Sequence, residues 1–226
     1  MDPLDVYIMK FKAVIFDLDG TLLNSLEDLA DATNSVLRRF GYPEHNLEAY
    51  KFFVGSGMEM LVKRALPRQH RQEEHLQHCV RLMKAEYSRC WTNKTQLYAG
   101  VAKLLDGLES VGLARNILSN KADDATRQIV ATLLGRWNFC VIAGARKGVP
   151  RKPDPTAALA IAAKVGIEPR KFVFIGDTAI DMQTARACGM YGIGVLWGFR
   201  PAKELIAGGA RMLLSNPTDL LPWVFK

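Results

Sequence analysis

Five short runs punctuate the chain: Ala13-Val14-Ile15-Phe16, Arg115-Asn116-Ile117-Leu118, Cys140-Val141-Ile142-Ala143, Phe172-Val173-Phe174-Ile175 and Gly192-Ile193-Gly194-Val195. They are rich in β-branched and aromatic residues and are separated by helical patterns. That is the signature of strands buried on both faces of a parallel sheet. The first interval breaks the rule, because roughly ninety residues separate the first two runs where a crossover needs about a dozen. From Leu26 to about Tyr98 the pattern is helical, with Leu29, Thr33, Val36, Leu37 and Phe40 on one face and the stop signal Gly41-Tyr42-Pro43 behind them. Further helices are predicted at 56–66 and 70–90, and one at 101–111 leads back to the sheet. The expectation is an α/β protein with a parallel-sheet core over residues 10–23 and 98–226 and a helical subdomain inserted at 24–97. Residues 1–9 precede the first clear element and carry none of the functional reading.

At 226 residues the chain can bury a core and still carry a sizeable insertion. The formal charge of +7 raises the question of a nucleic acid or a membrane surface. The basic residues are scattered, however. Their densest group is Arg146, Lys147, Arg151 and Lys152, with no long or aromatic-interleaved basic tract. Solvated faces and attraction of an anionic small molecule account for that distribution, so neither nucleic acid nor membrane is an expected partner. Cys79, Cys90, Cys140 and Cys188 form no C-x-x-C pair. They suit a reducing cytoplasm, and no apolar stretch reaches the length of about 20 residues that a membrane span needs. Oligomeric state is left open.

In open parallel sheets, reactive groups collect at the carboxyl ends of the strands, and four polar clusters fall there. Asp17-Leu18-Asp19-Gly20-Thr21 follows the first strand. It reads either as an Asp-rich turn or as a carboxylate nucleophile with a second carboxyl two residues on to handle the proton. Strand alternation would aim Asp17 and Asp19 the same way. Ser119-Asn120-Lys121 ends the second strand, as a polar cap or as a phosphate grip made by the Ser119 hydroxyl and the Asn120 backbone N–H. Lys152-Pro153-Asp154-Pro155 precedes a helix expected at about 155–166, with Asp154 suited to cap it. Its lysine would offset the repulsion between a phosphate dianion and an aspartate. Gly176-Asp177-Thr178-Ala179-Ile180-Asp181 opens another helix. Asp177 alone would serve as its N-cap, but Asp177 and Asp181 repel each other at that spacing unless a cation lies nearby. Magnesium, held by one or two carboxylates with phosphate and water, would relieve this.

In this order the four clusters resemble the motifs of the haloacid dehalogenase superfamily: D-L-D-G-T at 17–21, S-N at 119–120, the lysine at 152 and G-D-x-x-x-D at 176–181. The resemblance runs from about residue 12 to 222 and implies a Rossmann-like core with an inserted helical cap. It implies that Asp17 attacks the phosphoryl group, and that Asp19 protonates the leaving oxygen and then deprotonates the hydrolytic water. Lys152 joins them as a catalytic and substrate-binding residue, and Thr21, Ser119 and Asn120 line the phosphate site. Magnesium is implied at a carboxylate oxygen of Asp17, the backbone carbonyl of Asp19 and the side chain of Asp177. Asp181 supports it through water or orients Lys152.

A carboxylate at position 19 separates phosphoester chemistry from the dehalogenases and phosphonatases of the superfamily. The stretches 19–32, 54–66 and 97–101 are similar to the phosphoglycolate phosphatase subgroup, with Asn24 and Ala122 as departures. The reading that results is a magnesium-dependent hydrolase of a small phosphorylated metabolite, acting through an aspartyl phosphate. Its cap closes as a lid and presents Gly55 and Ser56 to the organic part of the substrate. The alternatives are a β-phosphoglucomutase-like isomerase, disfavoured because no His follows Thr21, and a catalytically idle phosphometabolite-binding protein. His75 and His78 are read as part of a solvated helix face, and the cap aromatics Phe52, Phe53, Tyr87 and Trp91 as packing.

Overall fold

A computed structural model describes residues 11–224, and the chain divides into two compact units. One unit comprises the chain up to Leu22 and again from Leu97; the other is Leu23–Gln96.

The first unit is built on strands β1 (Ala13–Phe16), β4 (Ala114–Ala122), β5 (Val141–Ala145), β6 (Phe172–Gly176), β7 (Tyr191–Val195) and β8 (Met212–Leu214). The pairing is parallel throughout, in the order β5-β4-β1-β6-β7-β8. Counted along the sheet's own strands this is 3-2-1-4-5-6, the doubly wound order, with its switch point between β1 and β6. Every residue of β1 and β6 is buried, which is why those runs are continuously apolar rather than alternating. Helices α5 (Val101–Ser110), α6 (Asp123–Leu133), α7 (Thr156–Val165), α8 (Ala179–Ala187), α9 (Ala202–Gly208) and α10 (Leu221–Val224) complete the unit. Ile161 and Ala162 of α7 and Ala185 of α8 join Ala13, Ile15 and Phe174 of the sheet in one core cluster.

The strand β8 has no counterpart among the five expected runs. It is three residues long and lies at the sheet edge, too short for a periodic signal. β4 is longer than expected, and its register with β5 shifts between Leu118 and Ala122. Such irregularities re-aim side chains, and the interval holds Ser119, Asn120 and Lys121.

The second unit contains α1 (Leu26–Arg39), α2 (Leu47–Phe53), α3 (Met58–Ala65) and α4 (Glu73–Cys90). α1 carries acidic residues in its first turn and basic residues in its last, and packs on α4. It ends at Arg39, and Gly41 just past the cap takes a φ of +69° that glycine adopts without strain. Asn46 caps α2 by accepting from the Ala49 N–H at 3.0 Å. The two passages of the chain between the units lie side by side, as β2 (Leu23–Asn24) and β3 (Gln96–Leu97) form a two-stranded sheet. Within the helical unit the buried Asp28 carboxylate accepts from Lys94 N at 3.1 Å, Thr95 N at 2.8 Å and Thr95 Oγ1 at 2.7 Å, fastening the start of α1 to the segment that leaves the unit.

Two expectations for this unit are corrected. His75 is half-buried rather than solvated, with Nε2 at 3.1 Å from Tyr42 Oη and its ring edge-on to Phe40. Tyr87 and Trp91 pack inside, whereas Phe52 is 55% exposed, two residues from the buried Tyr50 and so on the far side of a short helix.

Candidate active site

Asp17 is the first residue beyond β1, and its N–H still donates to Ile175 O across the switch point at 2.9 Å. β1 stops at Phe16, so strand alternation does not carry through to Asp19. The chain turns instead, with Thr21 N donating to Leu18 O and Gly20 at φ +87°. The two carboxylates consequently meet different lysines.

Lys152, whose side chain is 2% exposed, places Nζ 2.8 Å from Asp17 Oδ1, 2.7 Å from Asp181 Oδ1 and 2.9 Å from Leu118 O. These three acceptors use all three ammonium hydrogens. Its backbone is clasped by the Asn120 side chain, which accepts from Lys152 N at 3.0 Å and donates to Lys152 O at 3.1 Å. The Ser119 hydroxyl lies beside this clasp, accepting from Lys121 N at 3.1 Å.

Asp181 uses its second oxygen at home, accepting from Thr178 N at 3.1 Å and Thr178 Oγ1 at 2.8 Å in a capping box. The cap of α8 is thus Thr178 and not Asp177, which leaves Asp177 for the site. Asp154 does accept from Thr156 N at 2.9 Å, at the start of α7. Both Asp181 oxygens are engaged, Oδ1 by Lys152 and Oδ2 by Thr178.

Asp177 is fully buried. Its Oδ2 accepts from Phe199 N at 2.8 Å, and its Oδ1 has no partner among the described residues. One carboxylate oxygen from each of Asp17, Asp177 and Asp181 lies within 4.8 Å of the others. Burial pushes the Asp17 carboxyl up to about 7, against the pull of the Lys152 charge. Asp177 is pushed well above the usual carboxylate range by burial, with Asp181 and Asp17 adding repulsion. Burial also opposes the Lys152 charge, but Asp17 and Asp181 outweigh it and hold the ammonium charged. The directions agree on one point: burial of Asp17 and Asp177 outweighs the nearby positive charge, Lys152 beside Asp17 and Arg200 near Asp177. An orphaned carboxylate oxygen, an all-oxygen donor set and that deficit fit a hard divalent cation held by Asp17 and Asp177.

Asp19 is paired with Lys121, whose Nζ lies 2.8 and 2.9 Å from its two oxygens. Thr21 Oγ1 is buried without a partner among the described residues, while Thr21 O accepts from Trp197 Nε1 at 2.9 Å. Gly55 and Ser56, also expected in the substrate site, lie between α2 and α3 of the other unit, where Ser56 Oγ accepts from Arg64 Nη2 at 3.1 Å.

Sequence reasoning missed Lys121 and the segment Trp197-Gly198-Phe199. A Cβ on Gly198 would sit 2.5 Å from Gly20 O and collide with the Asp177 side chain. Only glycine lets this segment approach both loops. The signal available was a Trp-Gly-Phe run just past the carboxyl end of a strand.

A doubly wound sheet with an all-aspartate centre at its switch point defines a Rossmann-like α/β enzyme. More narrowly, the chain belongs to the haloacid dehalogenase-like hydrolase family, whose sequence model matches residues 14–195. It is 31% identical over 216 residues to "Phosphoglycolate phosphatase 1" of Pseudomonas aeruginosa, covering 93% of this chain and 79% of that one. To a phosphoglycolate phosphatase of Chromobacterium violaceum it is 31% identical, covering 92% of this chain and 94% of the other. A hydrolase from Pseudomonas syringae of known structure superposes with a TM-score of 0.76 at 28% identity, over 94% of this chain and 96% of that one.

Proposed function

We propose that the chain is a magnesium-dependent phosphatase that hydrolyses a small phosphate monoester, with 2-phosphoglycolate as its reference substrate, through an aspartyl phosphate. The observation that carries the proposal is the asymmetry of Asp17. Its Oδ1 is tied to Lys152, while Oδ2 accepts nothing from the described residues and is left to attack.

In the first step Asp17 Oδ2 bonds to phosphorus as the bond from phosphorus to the ester oxygen breaks, and Asp19 gives that oxygen a proton to release the alcohol. In the second, water attacks phosphorus, Asp19 takes its proton, and the bond from phosphorus to Asp17 breaks to free inorganic phosphate. The Ser119–Asn120 segment meets the phosphoryl oxygens, while Lys152, aimed by Asp181, sets its positive charge beside Asp17 and offsets the repulsion between that carboxylate and the phosphate. Bound to Asp17 and Asp177, magnesium supplies charge neutralisation for the transferring phosphoryl group. The likeness to phosphoglycolate phosphatases over nearly the whole chain supports the substrate class.

The test is phosphate release from a panel of small monoesters with magnesium, together with mass spectrometry of acid-quenched enzyme during turnover. A phosphoryl adduct on the peptide containing Asp17 is expected. Turnover without any adduct on Asp17, or full activity of Asp17→Asn, overturns the mechanism.

A further inference from the structure

Lys121 is a buried cation to which the proposed reaction gives no task. Lys121 lies in the irregular stretch of β4, its side chain is 8% exposed, and its Nζ engages both oxygens of Asp19 at 2.8 and 2.9 Å. Asp19 is the carboxyl group that has to meet the ester oxygen of the substrate. With both its oxygens on one ammonium, it reaches that oxygen only when Lys121 gives up at least one of them. A buried ammonium that gives up an anion needs another in its place. Lys152 cannot supply the positive charge for a second anionic group on the substrate, because its three hydrogens are committed to Asp17, Asp181 and Leu118 O.

On the phosphatase reading above, we infer that Lys121 is the specificity-determining residue. It takes a carboxylate attached to the carbon that bears the ester oxygen, and in doing so it frees Asp19 to turn to that oxygen. Such a carboxylate lies next to the leaving oxygen, so the ammonium passes from one carboxylate to another without leaving the site. The substrate class this selects is the 2-phosphocarboxylates. A neutral monoester brings no replacement anion, leaves Lys121 on Asp19 and is turned over more slowly. Substrate choice is thereby coupled to the readiness of the acid–base group.

The experiment compares kcat and KM for 2-phosphoglycolate, its carboxamide and ethyl phosphate, in magnesium buffer, for wild type, Lys121→Met and Lys121→Arg. Wild type is expected to favour the carboxylate over the carboxamide by about 10- to 100-fold in kcat/KM, the worth of a hydrogen bond to a charged group. In Lys121→Met that ratio falls to within about 3-fold of unity, with the KM for 2-phosphoglycolate raised most. Lys121→Arg keeps most of the preference. If Lys121 only positions Asp19, all three esters lose activity in equal proportion and the ratio stays at its wild-type value, which overturns the inference. Should Lys121→Met fail to fold, wild type alone decides: equal kcat/KM for carboxylate and carboxamide overturns it too. Hydrolysis of none of the three esters by wild type would instead overturn the phosphatase reading itself.

Discussion

Replacing Asp17 with Asn should make the metal-free protein more stable as well as inactive. Burial raises the Asp17 carboxyl from its ordinary value of 3.8 to about 7, so the folded protein prefers it protonated. Below the unfolded value both states hold the proton, and this preference contributes fully to stability. As the pH climbs through the folded value the proton is lost and a buried carboxylate is left. The stability lost over that window is about 4 kcal/mol, from 1.36 kcal/mol per pH unit of displacement. An amide at the same place is neutral at every pH and forfeits nothing. Urea unfolding in excess chelator, from pH 4 to 8.5, should therefore show the difference between Asp17→Asn and wild type growing in favour of the variant by about 4 kcal/mol, mostly between pH 4 and 7. Added magnesium should close the gap by stabilising wild type selectively. A difference that stays flat with pH, or that favours wild type at pH 8, would refute the argument that this cluster is short of positive charge.

Asp19→Asn should fold and retain Asp17 yet lose most acid–base catalysis, which steady-state assays against an aliphatic monoester will register as a fall in kcat. Chelation should silence the enzyme and magnesium restore it. Calcium, which accepts about 6 to 8 oxygens and tends to take both oxygens of a carboxylate, should compete with magnesium and inhibit; equal activation by the two ions would count against Asp17 as a ligand. Asp28→Ala strands the Lys94 and Thr95 donors and should cost about 2–4 kcal/mol, with faster hydrogen exchange at residues 94–95; unchanged exchange there would contradict the clasp. Gly198→Ala should displace Phe199 N from Asp177 and weaken magnesium binding, as calorimetry can check, because the added methyl collides with the Asp177 side chain.

What was legible in the sequence was whatever a side-chain pattern encodes. β1 and β6 stand out because burial on both faces demands unbroken apolar runs, and the polar clusters stand out because they interrupt the chain directly after such runs. Met212–Leu214 gave no such run, being an edge strand of three residues. The divergence of Asp17 and Asp19 was hidden because it depends on where β1 stops, and four consecutive apolar residues do not say whether the pleat continues for one more. Lys121 looked like part of a polar cap, since its partner lies 102 positions away. The hold on Asp177 is a backbone N–H, that of Phe199, and a backbone donor carries no letter in the sequence. The capping of α8 was ambiguous for a simpler reason: Asp177 and Thr178 are both good N-caps, and only the return contact from Asp181 decides between them.

The placement of β1 in mid-sheet has a consequence for the newborn chain. Phe16, beside Asp17, pairs with Ile117 on one flank and Ile175 on the other, and Lys152 is held by Asp181. At about 5–20 residues per second, a ribosome takes roughly 8 to 33 seconds to travel from Asp17 to Asp181. Everything that holds Leu23–Gln96 together internally is synthesised early in that interval, including the Asp28 clasp. The strand that leads into Asp17 is made before both of its neighbours, β4 and β6. A nascent chain halted before Asp181 has the whole Leu23–Gln96 segment but lacks the carboxylate that holds Lys152 beside Asp17.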